Sequence, residues 1–392
     1  MSTGEFSVTA FRMACELGKL TVASDIARFN TVEAIQVAGS GHLGSSLSVL
    51  DILLVILLND EKRGKTSVLF SSKGHDAPAL YTLNYLFGKL NTSPVGRLRR
   101  IGGYPGHPDV ATKGIVFNTG SLGMGISKAK GYAHCDLEEK DIYVVLGDGE
   151  LQEGQIFESL NQNTKGLGKI TVLIDRNGIQ SDSSCHLTHS NVCLKNIVGE
   201  FGWKYIEVHD GHNHKFLDQA LELSQAAPSI INCKTRKANG ISFASLDDCS
   251  EVTYYKYHSG CLTDKDYILA TEEILGRVMD CNIDFIKREA ACLLERINAL
   301  KTVKALSNRD DDVSLVDTYS IELLKEVRIN NKIVVLDADL KKDAGSCQVH
   351  QHEPKRFIEC GIAEQDMVSI GSGICATGGF PIFHTFSCFG LT

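Results

Sequence analysis

The chain has 392 residues, a formal net charge of -8 and a hydrophobic fraction of 43%, a length that suits two domains with separate cores. The acidic balance disfavours nucleic acid and anionic membrane as partners, because both require a concentrated basic face. The first residues lack the basic and apolar regions of a secretory signal, and the thirteen cysteines include no Cys-x-x-Cys pair, so we expect a cytoplasmic protein with reduced thiols that acts on small molecules.

Helical spacing covers residues 6–37, and glycines at 39 and 41 then precede a second helix over residues 46–58. The apolar part of this second helix is shorter than the roughly 20 residues that span a membrane, so we expect it to be buried in the protein. A short strand over residues 67–71 and a helix that ends near Leu86 follow.

Two later apolar runs, at residues 142–146 and 170–174, show no alternation of polar and apolar residues. This pattern is typical of strands that are buried on both faces of a parallel sheet covered by helices. Further strands are predicted at residues 204–208 and 229–233, and a long helix at residues 283–306. Ligands of such sheets bind beyond the carboxyl ends of the strands, which is where Asp148 and Asn177 lie.

A polar, charged segment at residues 307–312 predicts a linker. We therefore place a first domain at residues 1–306, the linker at 307–313 and a second α/β domain at 314–392. Its elements are predicted as a helix at residues 320–327, a strand at 333–336 and a helix at 363–376.

Asp148 and Asn177 each follow a predicted strand. A carboxylate and an amide oxygen suit a hard cation such as magnesium, which also binds phosphate oxygens. The glycine after Asp148 allows close approach of the backbone to a diphosphate, and a helix that begins near Glu153 would direct its amino-terminal dipole toward it. A simple turn at the end of a strand would explain Gly-Asp-Gly equally well, so the residues alone leave both interpretations open.

Three histidines, His42, His75 and His107, stand beside glycines in predicted loops, and a glycine-rich segment follows at residues 120–125. Histidine in such a loop can hydrogen-bond sugar hydroxyls or transfer protons near neutral pH. For any one of them a satisfied polar loop residue is the simpler explanation, but the set of three favours a site.

The segments GDGELQEG at residues 147–154 and DRNGIQ at residues 175–180 resemble the thiamine diphosphate motif of the transketolase family. This resemblance implies an α/β thiamine diphosphate-binding fold, with a parallel sheet and helices on both faces, followed by a partial second α/β domain. It also implies that Asp148, Asn177 and the carbonyl of Ile179 hold Mg²⁺, or Ca²⁺ or Mn²⁺ in its place.

The same resemblance implies two further sets of residues. Groups that move protons or contact substrate would be His42, His75, His107, His258 and Glu364. Groups that bind thiamine diphosphate would be His75, Gly120, Ser121, Leu122, Gly123, Asp148, Gly149, Glu150, Asn177, Glu364, Phe386 and Phe389. Glu153 and Glu158 match carboxylates that support the dimer interface and couple the cofactor sites in the family. The histidines near residue 212 match a structural loop.

Residues 357–367 resemble the segment whose glutamate pairs with the aminopyrimidine ring of the cofactor, which assigns this role to Glu364. A helix-start glutamate, favoured by the helix dipole, is the alternative. Residues 385–389 resemble the aromatic pocket for that ring, although an ordinary core segment would look similar. In the family this domain faces the other subunit, so the resemblance implies a homodimer or a hetero-oligomer.

The family's second domain continues beyond the residues of this chain, and a third domain follows. We therefore expect either a partner subunit that supplies the missing part or a truncated product. Tyr319 and Asp343 lie where the family often has an arginine and a serine that hold a sugar phosphate. Because phosphate prefers fixed positive donors, a non-phosphorylated or nucleotide-linked sugar becomes an alternative substrate.

Together these observations predict a transketolase-like enzyme that transfers a two-carbon ketol unit from a ketose to an aldose. A decarboxylating carboligase of the deoxyxylulose phosphate synthase type is the enzymatic alternative. The second alternative is a non-catalytic homologue that keeps only the cofactor site.

Overall fold

The computed structural model describes residues 4–135, 140–161, 170–181, 183–188, 193–247, 249–304 and 314–386. Within these ranges the chain forms two parallel sheets, each packed against helices. We call residues 4–304 the first unit and residues 314–386 the second unit.

The first unit is built on a five-stranded sheet. All of its strands are parallel, in the spatial order β1-β2-β3-β5-β4. The strands are β1 Val68–Ser71, β2 Ile142–Gly147, β3 Ile170–Arg176, β4 Lys204–Val208 and β5 Ser229–Lys234. The predicted parallel sheet is therefore confirmed, with strand bounds within three residues of those expected.

Helices cover both faces of this sheet. Alternate residues of β2 point to different cores: Tyr143 and Val145 join one cluster, whereas Val144 and Leu146 join the other. The helices of the first unit are α1 Val8–Glu16, α2 Leu20–Ala38, α3 Leu43–Arg63, α4 Ala77–Leu86, α5 Gly125–Cys135, α6 Gly154–Asn161, α7 Cys185–Thr188, α8 Leu194–Glu200, α9 His214–Ser224, α10 Asp264–Met279 and α11 Asp284–Lys304, and a 3₁₀ turn covers Gly149–Gln152.

The predicted helix over residues 6–37 is wrong as one continuous element. Gly18 adopts φ +68, a left-handed conformation that glycine accepts without steric cost, and the chain changes direction there between α1 and α2. The next helix, α3, is longer than predicted. It is long and apolar enough to cross a membrane by composition, but 94% of its most apolar window is buried, so the core of the protein accounts for its character.

The second unit has three parallel strands in the order β7-β6-β8. Its elements are α12 Leu315–Ile329, β6 Ile333–Asp337, α13 Lys341–Ala344, α14 Cys347–His352, a 3₁₀ turn at Pro354–Arg356, β7 Phe357–Glu359, α15 Glu364–Ala376 and β8 Phe380–His384. The predicted α/β character of this unit is confirmed. The predicted linker at 307–313 lies outside the described residues, so the domain boundaries stay predictions.

The two units contact each other within one chain. The backbone N–H of Ile362 donates to Gln152 Oε1 at 2.8 Å, and that of Ser181 donates to the Asp339 carboxylate. The family resemblance predicts that the second unit faces another subunit, whereas here it packs against the carboxyl ends of the strands of its own first unit. Residues of both units therefore surround one site.

Candidate active site

Asp148 and Asn177 lie at adjacent strand ends. Gly147, the last residue of β2, is paired with Asp175 in β3, so the two segments leave the sheet side by side. The Asp148 carboxylate accepts hydrogen bonds from Gly149 N at 3.0 Å and from Gly178 N. Burial raises the pKa of Asp148, opposed by the nearby Lys237 ammonium. The sheet thus brings together the two side chains that the sequence predicted to share a cation.

A buried ion pair supports this edge of the sheet. Lys73 Nζ lies 2.6 Å from Asp175 Oδ2, and both side chains are almost fully buried. Burial alone would raise the pKa of Asp175, but Lys73 and the hydroxyls of Ser48 and Thr235 hold it below its usual value. Asp175 therefore remains ionised and fixes the β3 end that leads to Asn177.

The carbonyl of Ile179, the third expected metal ligand, is in contact with a cation of the protein. Lys237 Nζ donates to Ile179 O and to Gln180 O, each at 3.0 Å. Burial lowers the pKa of Lys237, while the charge of Asp148 opposes that shift. The loop after β3 thus presents inward-facing oxygens that attract positive charge.

Glu150 ties the glycine-rich loop at residues 120–125 to the end of β2. Its carboxylate accepts from Gly123 N at 2.8 Å, from Gly147 N at 3.1 Å and from the Ser72 hydroxyl. Burial raises its pKa to about 7. Glu150 borders the same cavity as Asp148, but its hydrogen bonds within the protein make it an organiser of the loop.

Glycine is required at two positions of this loop system. Gly123 has φ +82, and a Cβ there would lie 2.8 Å from the Glu153 Cβ. A Cβ at Gly149 would lie 2.9 Å from Gln180 Cβ and 3.1 Å from Ile362 Cδ1. Larger residues would therefore separate the loops from each other and from the second unit.

Four histidines form a compact cluster around His42. The ring centroid of His42 lies 5.4 Å from His75, 5.6 Å from His107 and 5.3 Å from His258. His75 Nδ1 lies 2.8 Å from the Lys73 carbonyl. Because a carbonyl only accepts, this nitrogen carries the proton and Nε2 remains an acceptor. The structure therefore brings together three histidines from loops far apart in sequence and a fourth from residue 258, while their roles stay predictions.

These imidazoles are held in the neutral form. Burial lowers the pKa of His42 to about 3, helped by the positive charges of its neighbours. Burial likewise lowers the pKa of His75, His107 and His258. Neutral imidazoles both donate and accept hydrogen bonds, so the cluster can hydrogen-bond several hydroxyl groups at once.

The second unit contributes Glu364, which pairs with Glu153 of the first unit. Burial raises the pKa of Glu153 to about 8, and the charge of Glu364 adds to this shift. Burial also raises the pKa of Glu364, which accepts from the Thr385 hydroxyl at 3.4 Å. The two carboxyl groups therefore share a proton at neutral pH, with Glu153 as its donor.

A cavity of about 690 Å³ connects these groups. Its wall includes the four histidines, Asp148, Asn177 and the glycine-rich loop from the first unit, and Leu340, Asp343, Ile362 and Phe386 from the second. Glu364 lines an adjoining cavity of about 90 Å³, whose wall shares Ser121, Leu122 and Ile362 with the larger one. Phe389, also predicted here, lies outside the described residues.

Several buried polar atoms in the cavity wall have no hydrogen-bond partner among the described residues: His42 Nδ1, His258 Nδ1, Thr119 Oγ1 and Gln180 Nε2. Because an unsatisfied buried polar atom is costly, such a group of atoms indicates a polar ligand. The donor set at Asp148, Asn177 and Ile179 consists of oxygens, which hard divalent cations prefer. The residues present therefore fit both a diphosphate and its metal.

Comparison with known proteins agrees with this geometry. A family profile described as the transketolase thiamine diphosphate binding domain matches residues 20–273. The transketolase pyrimidine binding domain matches residues 312–391. The chain belongs to the transketolase family.

Among its curated relatives, mouse transketolase-like protein 2 is 29% identical over 398 residues and human transketolase is 30% identical over 401 residues. Each comparison covers 95% of this chain, which spans 62% and 61% of the length of those two relatives. One of the subunits of apulose-4-phosphate transketolase from Phocaeicola vulgatus is 28% identical over 273 residues, which are 66% of this chain and 95% of that relative.

Solved transketolases share the fold. The enzyme from Campylobacter jejuni gives a TM-score of 0.56 at 24% identity, covering 93% of this chain and 64% of the other. The enzyme from Leishmania mexicana gives 0.55 at 22% identity, with the same coverage. These likenesses establish the architecture of the chain and leave its chemistry to be argued from its own residues.

This transketolase-family site also contains residues that the sequence analysis missed. Arg99 lies on the cavity wall beside His107, and the buried Lys73 and Lys237 line the same cavity as Asp148. Arg99 stands eight positions before His107 in a basic run, RLRR, and Lys237 follows β5 in the run KTRK. Both runs were visible in the sequence, but surface lysines and arginines form similar runs.

Other predicted positions have different surroundings. His212 Nδ1 and His214 Nε2 hydrogen-bond the buried Asp51 at 2.8 Å and 3.0 Å, which agrees with the structural role expected of that loop. The Tyr319 hydroxyl is 2.9 Å from His384 Nε2, so it packs within the second unit. Glu158 is exposed, and its predicted interface role stays a prediction.

Proposed function

We propose that this chain binds thiamine diphosphate with a divalent metal and takes part in the transfer of a two-carbon ketol unit from a ketose donor to an aldose acceptor. One observation carries the proposal. A single cavity joins the oxygen ligands at the sheet edge, the cluster of neutral histidines and the second unit's Phe386, with the Glu153–Glu364 pair next to it.

The metal would be held by Asp148, Asn177 and the Ile179 carbonyl, and the diphosphate would lie against the glycine-rich loop. Thiamine diphosphate, when bound, supplies the carbon nucleophile that stabilises the transferred unit. Glu153 donates the shared proton to Glu364, which fixes the Glu364 carboxyl group in the place where it would pair with the aminopyrimidine ring. Phe386 offers an aromatic face on the same side of the cavity.

The four histidines would act on the sugar. Because their pKa values lie below the usual range, they are neutral, and each keeps an unprotonated nitrogen toward which a hydroxyl of the donor would direct its proton as the carbon–carbon bond breaks. His75 has its Nδ1 fixed on a backbone carbonyl, which leaves Nε2 as the acceptor. The same atoms would return the proton when the acceptor aldehyde becomes a hydroxyl as the new carbon–carbon bond forms.

Charged side chains on the cavity wall affect which substrates can bind and where a phosphate group would lie. Asp343 of the second unit lies on the wall, as does Arg99 at the His107 end. An acid at residue 343 disfavours a phosphate close to it, whereas Arg99 offers a positive group elsewhere. We infer that a phosphorylated sugar would direct its phosphate toward Arg99, and that sugars without a phosphate remain acceptable at the Asp343 end.

We also propose that the active assembly contains a partner subunit. The relative from Phocaeicola vulgatus is by name one of several subunits, and it matches most of its length to part of this chain. In the second unit, Val368, Phe380 and Phe383 expose 55%, 59% and 42% of their surface, and β8 is an edge strand of the described sheet. Exposed apolar side chains beside an open sheet edge are suited to pairing with another chain.

The test starts from chain isolated from its native source through an amino-terminal tag, so that bound subunits are retained. Transfer of labelled carbon from xylulose, xylulose 5-phosphate or pyruvate to aldose acceptors is followed by nuclear magnetic resonance. Ketose-dependent transfer that requires thiamine diphosphate supports the proposal. Release of carbon dioxide from pyruvate would favour the carboligase instead, and cofactor binding without any transfer would favour the non-catalytic homologue.

A further inference from the structure

Lys237 holds a place that the proposed function assigns to a metal. It lies three residues beyond β5, the strand next to β3, and it is 3% exposed. Its ammonium donates to the carbonyls of Ile179 and Gln180, each at 3.0 Å. Ile179 O is therefore occupied by a cation that belongs to the protein.

The surroundings of this ammonium are those of a metal ion. The carboxylates whose charges act on it are Asp148 and Asp175, and it forms no ion pair with a carboxylate of the described residues. Two carbonyl oxygens within hydrogen-bond distance and the negative charge of nearby carboxylates supply most of the interactions that a buried cation requires. Lys237 thereby neutralises the field of Asp148 in the absence of any ligand.

A metal and the Lys237 ammonium cannot both bind Ile179 O, since two unscreened positive charges at one carbonyl repel each other strongly. The lysine side chain has a flexible four-carbon stem and can move its charge. A diphosphate in the same cavity offers anionic oxygens as new partners for it. A metal that binds without the diphosphate brings no such partner for the displaced ammonium.

We propose that Lys237 is a positioning residue that blocks the metal site in the free chain and makes metal binding depend on the diphosphate. The inference rests on the proposed cofactor site. Lys237 lowers the affinity for metal alone and increases the factor by which diphosphate tightens metal binding. By linkage, metal tightens diphosphate binding by the same factor.

The test measures Mn²⁺ affinity by the electron paramagnetic resonance signal of the free ion, with and without thiamine diphosphate. The wild-type chain is compared with Lys237→Met. We expect the variant to bind Mn²⁺ alone about tenfold more tightly and to show a coupling factor smaller by at least that amount, within the range of couplings usual in proteins. Lys130→Met is the matched control, because Lys130 is 4% exposed and donates to the Ser159 carbonyl away from the site.

The outcomes separate the two proposals. If wild type binds Mn²⁺ with thiamine diphosphate but Lys237→Met binds Mn²⁺ alone no more tightly than wild type, this inference is overturned and Lys237 only supports the loop. If wild type binds Mn²⁺ neither alone nor with thiamine diphosphate, the cofactor site itself is refuted. Should Lys237→Met fail to fold, Lys237→Gln takes its place in the same comparison. This variant keeps a hydrogen-bond donor for the carbonyl but removes the charge.

Discussion

The buried pair of Lys73 and Asp175 allows a quantitative prediction. Lys73 Nζ lies 2.6 Å from Asp175 Oδ2 and 2.9 Å from Ser45 Oγ, and the two side chains are 1% and 0% exposed. Asp175 lies near the end of β3, just before Asn177, so the pair determines whether the end of this strand is held in place. The perturbation is Lys73→Met, which keeps most of the side-chain volume and removes the charge.

The variant leaves Asp175 buried beside the Ser48 and Thr235 hydroxyls, which donate to it at 2.6 Å but carry no charge. Breaking a buried pair by removing one partner costs about 3 to 5 kcal/mol, because an uncompensated charge remains. A loss of about 3 kcal/mol lowers the ratio of folded to unfolded chain roughly 100-fold. Lys73→Met combined with Asp175→Asn removes both charges, so we expect it to recover more than half of that loss.

The assay is urea unfolding followed by tryptophan fluorescence. Trp203 is the single tryptophan of the chain and is buried in the core on one face of the first sheet, so its signal reports the first unit. Lys62→Met is the control. Its pair with Asp218 is 3.2 Å long but 57% and 36% exposed, and exposed pairs contribute less than about 1 kcal/mol.

Two results would refute this reasoning. The first is a cost for Lys73→Met no larger than that for Lys62→Met. The second is a double variant as unstable as Lys73→Met, which would show that packing around the lysine stem, and not the charge on Asp175, sets the stability.

Four further predictions concern the site. Asp148→Ala should abolish saturable binding of thiamine diphosphate with magnesium in calorimetric titration; binding of wild-type strength would remove Asp148 from the metal site. Glu364→Gln should reduce ketol transfer by about 100-fold or more while cofactor affinity changes little, since proton transfer by a placed group contributes roughly 10² to 10⁴. An equal mixture of these two variants should stay inactive, because both units meet within one chain; regained transfer would show exchange between chains. The pKa of His42 is about 3 in the folded chain and about 6.5 in the unfolded chain, so the unfolded chain binds the proton first as the pH falls. The free energy of unfolding should therefore decrease below pH 6.5 by up to about 1.4 kcal/mol per pH unit. Urea titrations at several pH values should show a smaller slope for His42→Asn.

The sheet could be predicted because its strands are uninterrupted apolar runs. The residues of β2 and β3 face helices on both sides of the sheet, so apolar residues are favoured at every position. Their sequences therefore show no alternation of polar and apolar residues. The loops that carry Asp148 and Asn177 follow directly from the parallel arrangement. By contrast, α5 contains two glycines and two lysines, and no helical pattern could be recognised in it.

The missing parts of the site are pairings between distant residues. Lys73 and Asp175 were both visible in motifs, but 102 positions separate them and only the parallel register places one beside the other. Glu153 and Glu364 lie in different units, so their shared proton depends on how the units pack. Sequence patterns record the local backbone at each of these residues and carry no information on which distant partner it meets.

The charges at the end of the sheet explain why a metal and a diphosphate suit this site together. Asp148 and Asp175 are balanced by Lys73 and Lys237, so the edge is close to neutral without ligands. A divalent ion alone would add positive charge beside two ammonium groups, and a diphosphate alone would add negative charge beside two carboxylates. Only the pair of ligands preserves the balance, with the ammonium of Lys237 able to follow the anion and the carboxylate of Asp148 left to the metal.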